Sequence, residues 1–254
     1  MSLELVQFAF SHFNEKARWA LDYKGLAHRR RSLLPGAHAP VVKRLTGKSE
    51  TPVLVADGQV IAGSAAILDY LEVEHPSPPL YPARPEWRRK ALEVQHFFDT
   101  KIGAQARQAL FIELLRDGGY AARCIAGDFG VATRALYRLG FPITRRIMRR
   151  QMDLRPELLD AACDAVRRGL DFVAENAGPD GFLVGDAFSV ADLTAASLLQ
   201  LVAFPPEAAR LPEPRSPALL QWLERWQEHA GTAWVIQTYR AHRPASAAVD
   251  ASKP

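Results

Sequence analysis

The feature that most constrains the fold of this chain is a run of prolines. His75–Pro85 reads His-Pro-Ser-Pro-Pro-Leu-Tyr-Pro-Ala-Arg-Pro, five prolines in eleven residues. Proline carries no amide proton and fixes φ near about −65°, so neither a helix nor a central strand can pass through such a run. It reads as a linker. It divides the 254 residues into an N-terminal stretch, residues 1–80, and a C-terminal stretch, residues 86–243, followed by a flexible tail over 244–254. Both stretches fall within the ordinary size range of a domain.

Before the linker, short strand and helix patterns alternate. Leu3–Ala9 alternates as a strand does. Asn14–Lys24 sets Ala17, Ala20 and Leu21 on one helical face, with Gly25 behind it as a stop. Arg29–Leu34 is a second strand and Pro40–Leu45 a short helix. Pro52–Ala56 and Gln59–Ile61 flank Asp57-Gly58, a hairpin signal. Ser64–Glu72 is a third helix with Ile67, Leu68 and Leu71 inward. The order β-α-β-α-β-β-α predicts an α/β domain, a mixed four-stranded sheet with helices on its faces.

After the linker the period becomes helical, so an all-α domain is predicted. Trp87, Ala91, Val94, Phe98, Ile102 and Ala109 predict one long helix from Glu86 to about Asp117. Pro156 suits the first position of a helix carrying Leu159, Ala162, Val166, Leu170 and Val173. Ser189–Asp192 opens a helix that Pro205-Pro206 ends, and Ser216-Pro217 opens another with Leu220, Leu223 and Trp226 inward. Gly118–Met152 is the least regular stretch, read as one or two helices with an irregular break at Gly140-Phe-Pro142.

Composition excludes several classes. Hydrophobic residues are 48% and charged residues 24%, values of an ordinary globular chain. Two cysteines, Cys124 and Cys163, do not make a disulfide framework and read as core thiols. No basic segment leads into an apolar run at the start, and no stretch approaches 18 uninterrupted apolar residues. A cytoplasmic protein with no membrane span is therefore expected. A formal net charge of +4 over this length argues little for nucleic acid. The basic runs His28–Arg31 and Arg145-Arg146/Arg149-Arg150 lack the interleaved aromatic residues of a single-strand platform, and the latter reads as a solvated or dimer-facing surface. No nucleic-acid partner and no metal site are expected.

Three features of the first stretch carry chemistry. Ser11 stands between the first strand and the first helix, where free N–H groups and a partial positive charge stabilise an anion such as a thiolate. Serine there is equally a favoured N-cap. Thr51-Pro52 begins a strand after a polar loop. Its proline is either an ordinary trans residue or a cis one that leaves the main-chain groups of Thr51 unpaired by the sheet. Gly63-Ser64 opens the third helix, as a simple cap or as a carboxylate site.

The order and spacing of these features resemble the cytosolic glutathione transferases. The pattern Ser-x-Phe-x-x-Lys-x-Arg-x-x-Leu from Ser11, then Thr51-Pro-Val-Leu, the Asp-Gly hairpin and Ser64-x-x-Ile-x-x-Tyr-Leu resembles their thioredoxin-like N-terminal domain. Phe182-Leu-Val-Gly-Asp-x-Phe-Ser-Val-Ala-Asp-Leu-Thr194 resembles the folding signature of their helical domain. There Ser189 and Asp192 form a capping box and Phe188 a hydrophobic staple with Leu193.

The resemblance implies glutathione as co-substrate, lying along the exposed sheet edge. It implies that Ser11 holds the thiolate, that the main chain of Phe13 lines the thiol end, and that Thr51, across Pro52, meets the cysteinyl backbone. Ser64 would hold the γ-glutamyl carboxylate. Gly63 stands where the family carries Glu or Gln for the γ-glutamyl amine. His38 stands where some members carry a lysine for the glycyl carboxylate, with Lys43 or Lys48 as substitutes. A serine rather than a cysteine favours conjugation over disulfide exchange. The second substrate would be a small hydrophobic electrophile, in a pocket for which Phe10, His12, Gln105, Phe111 and Tyr120 are candidates. His12 replaces the family's common proline and is a candidate for acid–base work. A homodimer acting in detoxification is implied. The alternative is a non-catalytic protein of the same fold that holds a ligand or partner with weak or no glutathione binding.

Overall fold

The computed structural model describes residues 2–208 and 211–249. The first domain runs β1 (Leu3–Gln7), α1 (His12–Tyr23), β2 (Arg29–Ser32), α2 (Ala39–Thr46), β3 (Val53–Ala56), β4 (Gln59–Ala62) and α3 (Ser64–Glu74), the predicted order. The sheet order is β2-β1-β3-β4. β1 is parallel to β2 and antiparallel to β3, and β3 pairs antiparallel with β4 from Val53 opposite Ala62 to Ala56 opposite Gln59. Asp57 and Gly58 make the turn with φ of 46° and 91°, the left-handed pair a tight hairpin needs. Side-chain alternation splits the sheet. Leu3, Leu5 and Leu54 join α1 and α3 in the main core, while Val6 and Val53 pack under Val42 and Leu45 of α2. This is the thioredoxin-like fold followed by the helical domain that the resemblance implies.

The second domain runs α4 (Pro85–Phe97), α5 (Gly103–Leu114), α6 (Gly118–Ala126), α7 (Val131–Gln151), α8 (Leu159–Asn176), α9 (Val190–Ala203), α10 (Pro217–Trp226) and α11 (Ala230–His242). α9 is buried from Val190 to Val202, as an apolar helix at the centre of a bundle must be. Its capping box is formed. The Asp192 carboxylate accepts from the Leu183 and Ser189 N–H groups at 2.7 and 2.9 Å and from Ser189 Oγ at 3.0 Å. Asp192→Ala strands these donors in the interior, and each buried unsatisfied group costs about 1–3 kcal/mol. The expected loss is roughly 3–5 kcal/mol, read as a lowered midpoint in urea denaturation.

Three expectations in this domain are corrected. The single helix over 86–117 is two, joined by a π-helical turn at Phe98–Ile102. That turn lies where the helix crosses α1: Lys16 Nζ binds both oxygens of Asp99 at 2.9 and 2.7 Å, and a Cβ on Gly103 would stand 2.6 Å from the ring of Phe13. On its other side Phe98 and Ile102 pack at Gly169 of α8, so distant neighbours surround the turn. The break expected at Gly140-Phe-Pro142 is absent, because α7 runs through Pro142. Its two buried residues, Phe141 and Met148, lie on either side of the proline and anchor the helix across it. In α10 Trp226 is buried and Leu223 packs half-buried against the core as expected, but Leu220 is exposed and Leu219 and Trp222 turn inward in its place. The Trp222 indole donates to the Leu201 carbonyl at 2.8 Å.

The tail differs as well. Residues 244–249 lie against the first domain. Arg243 pairs with Glu15 and Asp22, each at 2.8 Å. Ala247 N–H donates to Asp22 Oδ1 at 2.8 Å, and Val249 N–H to the His28 carbonyl at 2.9 Å. Buried carboxylates on α1 need these donors, and composition alone cannot show that. Residues 250–254 lie outside the described residues.

Candidate functional site

Ser11 is the N-cap of α1, with extended backbone at φ −154° and ψ 128°. Its Oγ accepts from Asn14 N–H at 3.5 Å and from Asn14 Nδ2 at 2.7 Å. A hydroxyl that accepts twice keeps its one proton free to donate outward. Asn14 Nδ2 also reaches Thr51 Oγ1 at 3.2 Å, while Asn14 Oδ1 accepts from Phe8 N–H at 3.3 Å. One amide thus fixes Ser11 relative to the start of β3. The spacing of a serine cap and an asparagine three residues later was the available signal for Asn14, and the sequence reading does not contain it.

The loop before Ser11 is held by Arg18. Its guanidinium donates to the carbonyls of Phe8, Ala9 and Ser11 at 3.1–3.3 Å and to Gln7 Oε1 at 2.7 Å. It is held in turn by Glu15 at 2.6 Å. Burial pushes Glu15 toward its neutral form, but Arg18 and Arg243 outweigh burial and keep its carboxyl below the usual range.

The Thr51–Pro52 bond is cis. The main-chain N–H and C=O of Thr51 lie beyond the β1–β3 ladder, which ends at Val6 opposite Val53. They enter no turn or cap bond among the described residues. The Pro52 carbonyl accepts from Gly63 N–H at 2.9 Å, which sets the start of α3 beside Thr51. Gly63, not Ser64, is the cap of α3. Its φ of 93° and ψ of 145° belong to a region that side chains avoid, so glycine is the unstrained choice. No side chain caps this helix, and Ser64 is its buried first residue.

Ser11, Phe13, His38 and Thr51 line one cavity of about 440 Å³ between the domains. Pro52, Gly63 and Ser64 are outside its lining. His38 leads into α2. Its Nδ1 accepts from Gly36 N–H at 3.2 Å, and its ring meets Phe8 edge-on at 4.7 Å. Burial lowers its pKa, so it faces the cavity as a neutral imidazole. Lys43 and Lys48 are exposed and outside the cavity lining.

The second-substrate candidates divide. Phe10, His12 and Phe111 line the cavity, with the two phenyl rings 6.1 Å apart edge to face. Gln105 is exposed on α5 and lies outside it. Tyr120 is buried with its hydroxyl donating to the Pro212 carbonyl at 3.1 Å, a core residue. His12 is not an acid–base group. Its Nε2 meets the Gly103 carbonyl at 2.7 Å, and burial, reinforced by Arg107, pushes its pKa down to about 3. It joins α1 to α5 as a neutral ring. Part of the remaining wall comes from residues the sequence reading left unassigned, among them Ile125 of α6 and Thr144, Ile147, Met148 and Gln151 of α7. The thiols of Cys124 and Cys163 are both buried. Burial pushes Cys124 up to about 12 and Cys163 upward too. Among the described residues no group of His, Cys, Asp and Glu is arranged to share a metal ion, and no helix is long and apolar enough to cross a membrane.

Comparison with known proteins matches residues 5–79 to the family "Glutathione S-transferase, N-terminal domain" and residues 156–225 to "Glutathione S-transferase, C-terminal domain". Together the two stretches are more than half of the chain. A probable glutathione S-transferase of Nicotiana tabacum is 30% identical over 110 residues, 40% of this chain and 46% of that protein. The match thus spans less than half of this curated relative. Among solved structures, a glutathione S-transferase from Rhodospirillum rubrum F11 is similar at a TM-score of 0.62 and 22% identity, covering 93% of this chain and 87% of the other. Human glutathione transferase theta-2, solved with glutathione and an unknown ligand, is similar at 0.59 and 20%, covering 94% and 87%. At these identities the structures speak for the fold.

Proposed function

Because the chain belongs to the glutathione S-transferase superfamily, we propose that its interdomain cleft binds glutathione and turns the thiol into a nucleophile at Ser11. The observation that carries this reading is the hydroxyl of Ser11, which accepts two N–H bonds from Asn14 and faces the cavity with its own proton free. The thiol gives its proton to solvent. The resulting thiolate receives the Ser11 O–H bond and the positive end of α1. The sulfur then forms a bond to an electrophilic carbon held against Phe10 and Phe111, and the leaving group departs with its electron pair. Ser11 donates a hydrogen bond and is not itself the nucleophile. Thr51 receives the cysteinyl backbone on its unpaired main-chain groups, in the manner of strand addition. Ser64 and the uncapped start of α3 receive the γ-glutamyl carboxylate.

A second reading, ligand holding without turnover, rests on Gly63 and His38, which replace two polar contacts of the family pattern. Gly63 offers a direct test. A Cβ there meets nothing within 4 Å, so Gly63→Gln has room for the missing amide but must hold a strained backbone at a cost of about 1–3 kcal/mol. The variant is expected to melt lower and to bind glutathione several-fold tighter by calorimetry. The enzyme reading itself requires that wild type bind glutathione at millimolar or better and conjugate a generic aryl halide. Ligand uptake with neither property selects the second reading.

A further inference from the structure

One cation in the cleft is unused by the chemistry above. Arg107 is on α5, one helical turn after Gly103 and one before Phe111, so all three share a face. Gly103 abuts Phe13 and accepts from His12, Phe111 lines the apolar wall, and the Arg107 side chain lies between them in the cavity lining. Its Nε is buried with no hydrogen-bond partner. No carboxylate among the described residues lies within ion-pair distance of its guanidinium. Burial alone lowers its pKa, with no compensating charge nearby. Among the described residues the fully buried Lys16, Lys24 and Arg18 each pair with a carboxylate, of Asp99, Glu72 and Glu15. The Arg107 guanidinium is half-buried and without a counter-charge, and its fork matches a carboxylate in two parallel hydrogen bonds.

We infer that Arg107 is the docking point for an anionic group on the second substrate, so that this cleft selects electrophiles with an apolar body and a carboxylate. The inference rests on the proposed glutathione reading for where the reacting carbon sits. Arg107 belongs to the helical domain, whereas Thr51 and Ser64, the groups assigned to glutathione, belong to the sheet domain. A carboxylate on Arg107 leaves the rest of the ligand against Phe10 and Phe111, about one helical turn (~5 Å) from the Gly103 contact beside Ser11.

The test compares 4-chloro-3,5-dinitrobenzoate with its methyl ester as partners for glutathione. In wild type and Arg107→Gln the ratio of kcat/KM values, acid over ester, cancels the intrinsic reactivity of the two compounds. The ratio is expected to fall at least tenfold in Arg107→Gln and to recover partly in Arg107→Lys. An unchanged ratio overturns the proposal. A drop in glutathione affinity as large as the drop in the ratio would reassign Arg107 to the tripeptide, and also overturns it. A separate arm needs no turnover: calorimetry of unreactive 3,5-dinitrobenzoate and of its amide. If glutathione chemistry is absent, both halides are inert, but the carboxylate should still bind wild type at least tenfold tighter than Arg107→Gln. The empty-cleft melting temperature supplies the structural control. Arg107→Gln should melt close to wild type, because it removes a half-buried cation that pairs with no carboxylate. A fall of several degrees would show that the guanidinium supports the fold, and would overturn the proposal.

Discussion

Ser11→Ala is expected to lower kcat/KM for conjugation of glutathione to an aryl halide by about 10²-fold, the lower end of what loss of one preorganised donor to a developing or resident anion costs. The reason is local. Asn14 supplies two N–H donors to Ser11 Oγ, which orients the hydroxyl and leaves its proton for the sulfur. Alanine removes that proton and also one cap of α1, so part of the loss is a stability term of about 1 kcal/mol. The two separate cleanly. A capping loss lowers the melting temperature without altering the pH profile of conjugation, whereas loss of the thiolate donor moves the profile to higher pH. Equal rates in wild type and Ser11→Ala at all pH values would remove Ser11 from the mechanism.

Arg243→Ala is expected to cost roughly 3–5 kcal/mol of stability at neutral pH, the range for removing one partner of a buried ion network. Arg243 is only 7% exposed and bridges Glu15 and Asp22, which are 4% and 0% exposed. Its loss leaves both carboxylates short of a donor in the interior, although Arg18 and Arg30 still pair with them. The pH dependence has a definite sign. Burial raises the Glu15 pKa, but Arg18 and Arg243 together hold it below the ordinary carboxylate value. The stability contributed by the pair is therefore fully present above the unfolded-state value, about 4.5. It disappears as pH falls through the lower folded-state value. The gap between wild type and Arg243→Ala in urea denaturation should be widest at neutral pH and close in acid. The same chain of contacts leads to the site, since Glu15 holds Arg18 and Arg18 holds the carbonyls of Phe8, Ala9 and Ser11. A gap that stays constant down to acid pH would show that the network is neutral bulk packing rather than an ion cluster.

What was readable in the two domains has local determinants. The Asp57-Gly58 turn, the Ser11 cap and the capping box at Ser189–Asp192 each lie within a few residues of sequence, where backbone chemistry dictates the pattern. Of the candidate site residues, Phe10, His12 and Phe13, which flank the Ser11 cap, line the cavity for the same reason. Ser11 and Thr51 line the cavity, and Ser64 opens α3 beside them. What failed depends on contacts between distant segments. Tyr120 and Gln105 are candidates only because they could face the cleft, yet one turns to Pro212 and the other to solvent. Asn14 joins Ser11 to Thr51 across 37 residues, and no period reveals that. Arg107 has no local signal in the sequence, and only the packing of the helices brings it to the cavity lining. The π-helical turn at Phe98–Ile102 meets Gly169 of α8 and, through Asp99, Lys16 of α1, and the tail beyond Arg243 is held because Glu15 and Asp22 are buried on the other domain. Charge and polarity at these places record tertiary neighbours rather than local preference.

The most direct test of the account is the ionisation of glutathione bound to the protein, followed by the ultraviolet absorbance of its thiolate as pH is raised. A free cysteine-type thiol titrates near about 8.5. Bound to wild type it is expected to titrate one to two units lower, a shift of the size that a helix N-terminus and a donor hydroxyl produce, and bound to Ser11→Ala it should return most of the way. A bound thiol that titrates at the free value in wild type, or at the same lowered value in both proteins, would contradict the claim that Ser11 activates glutathione.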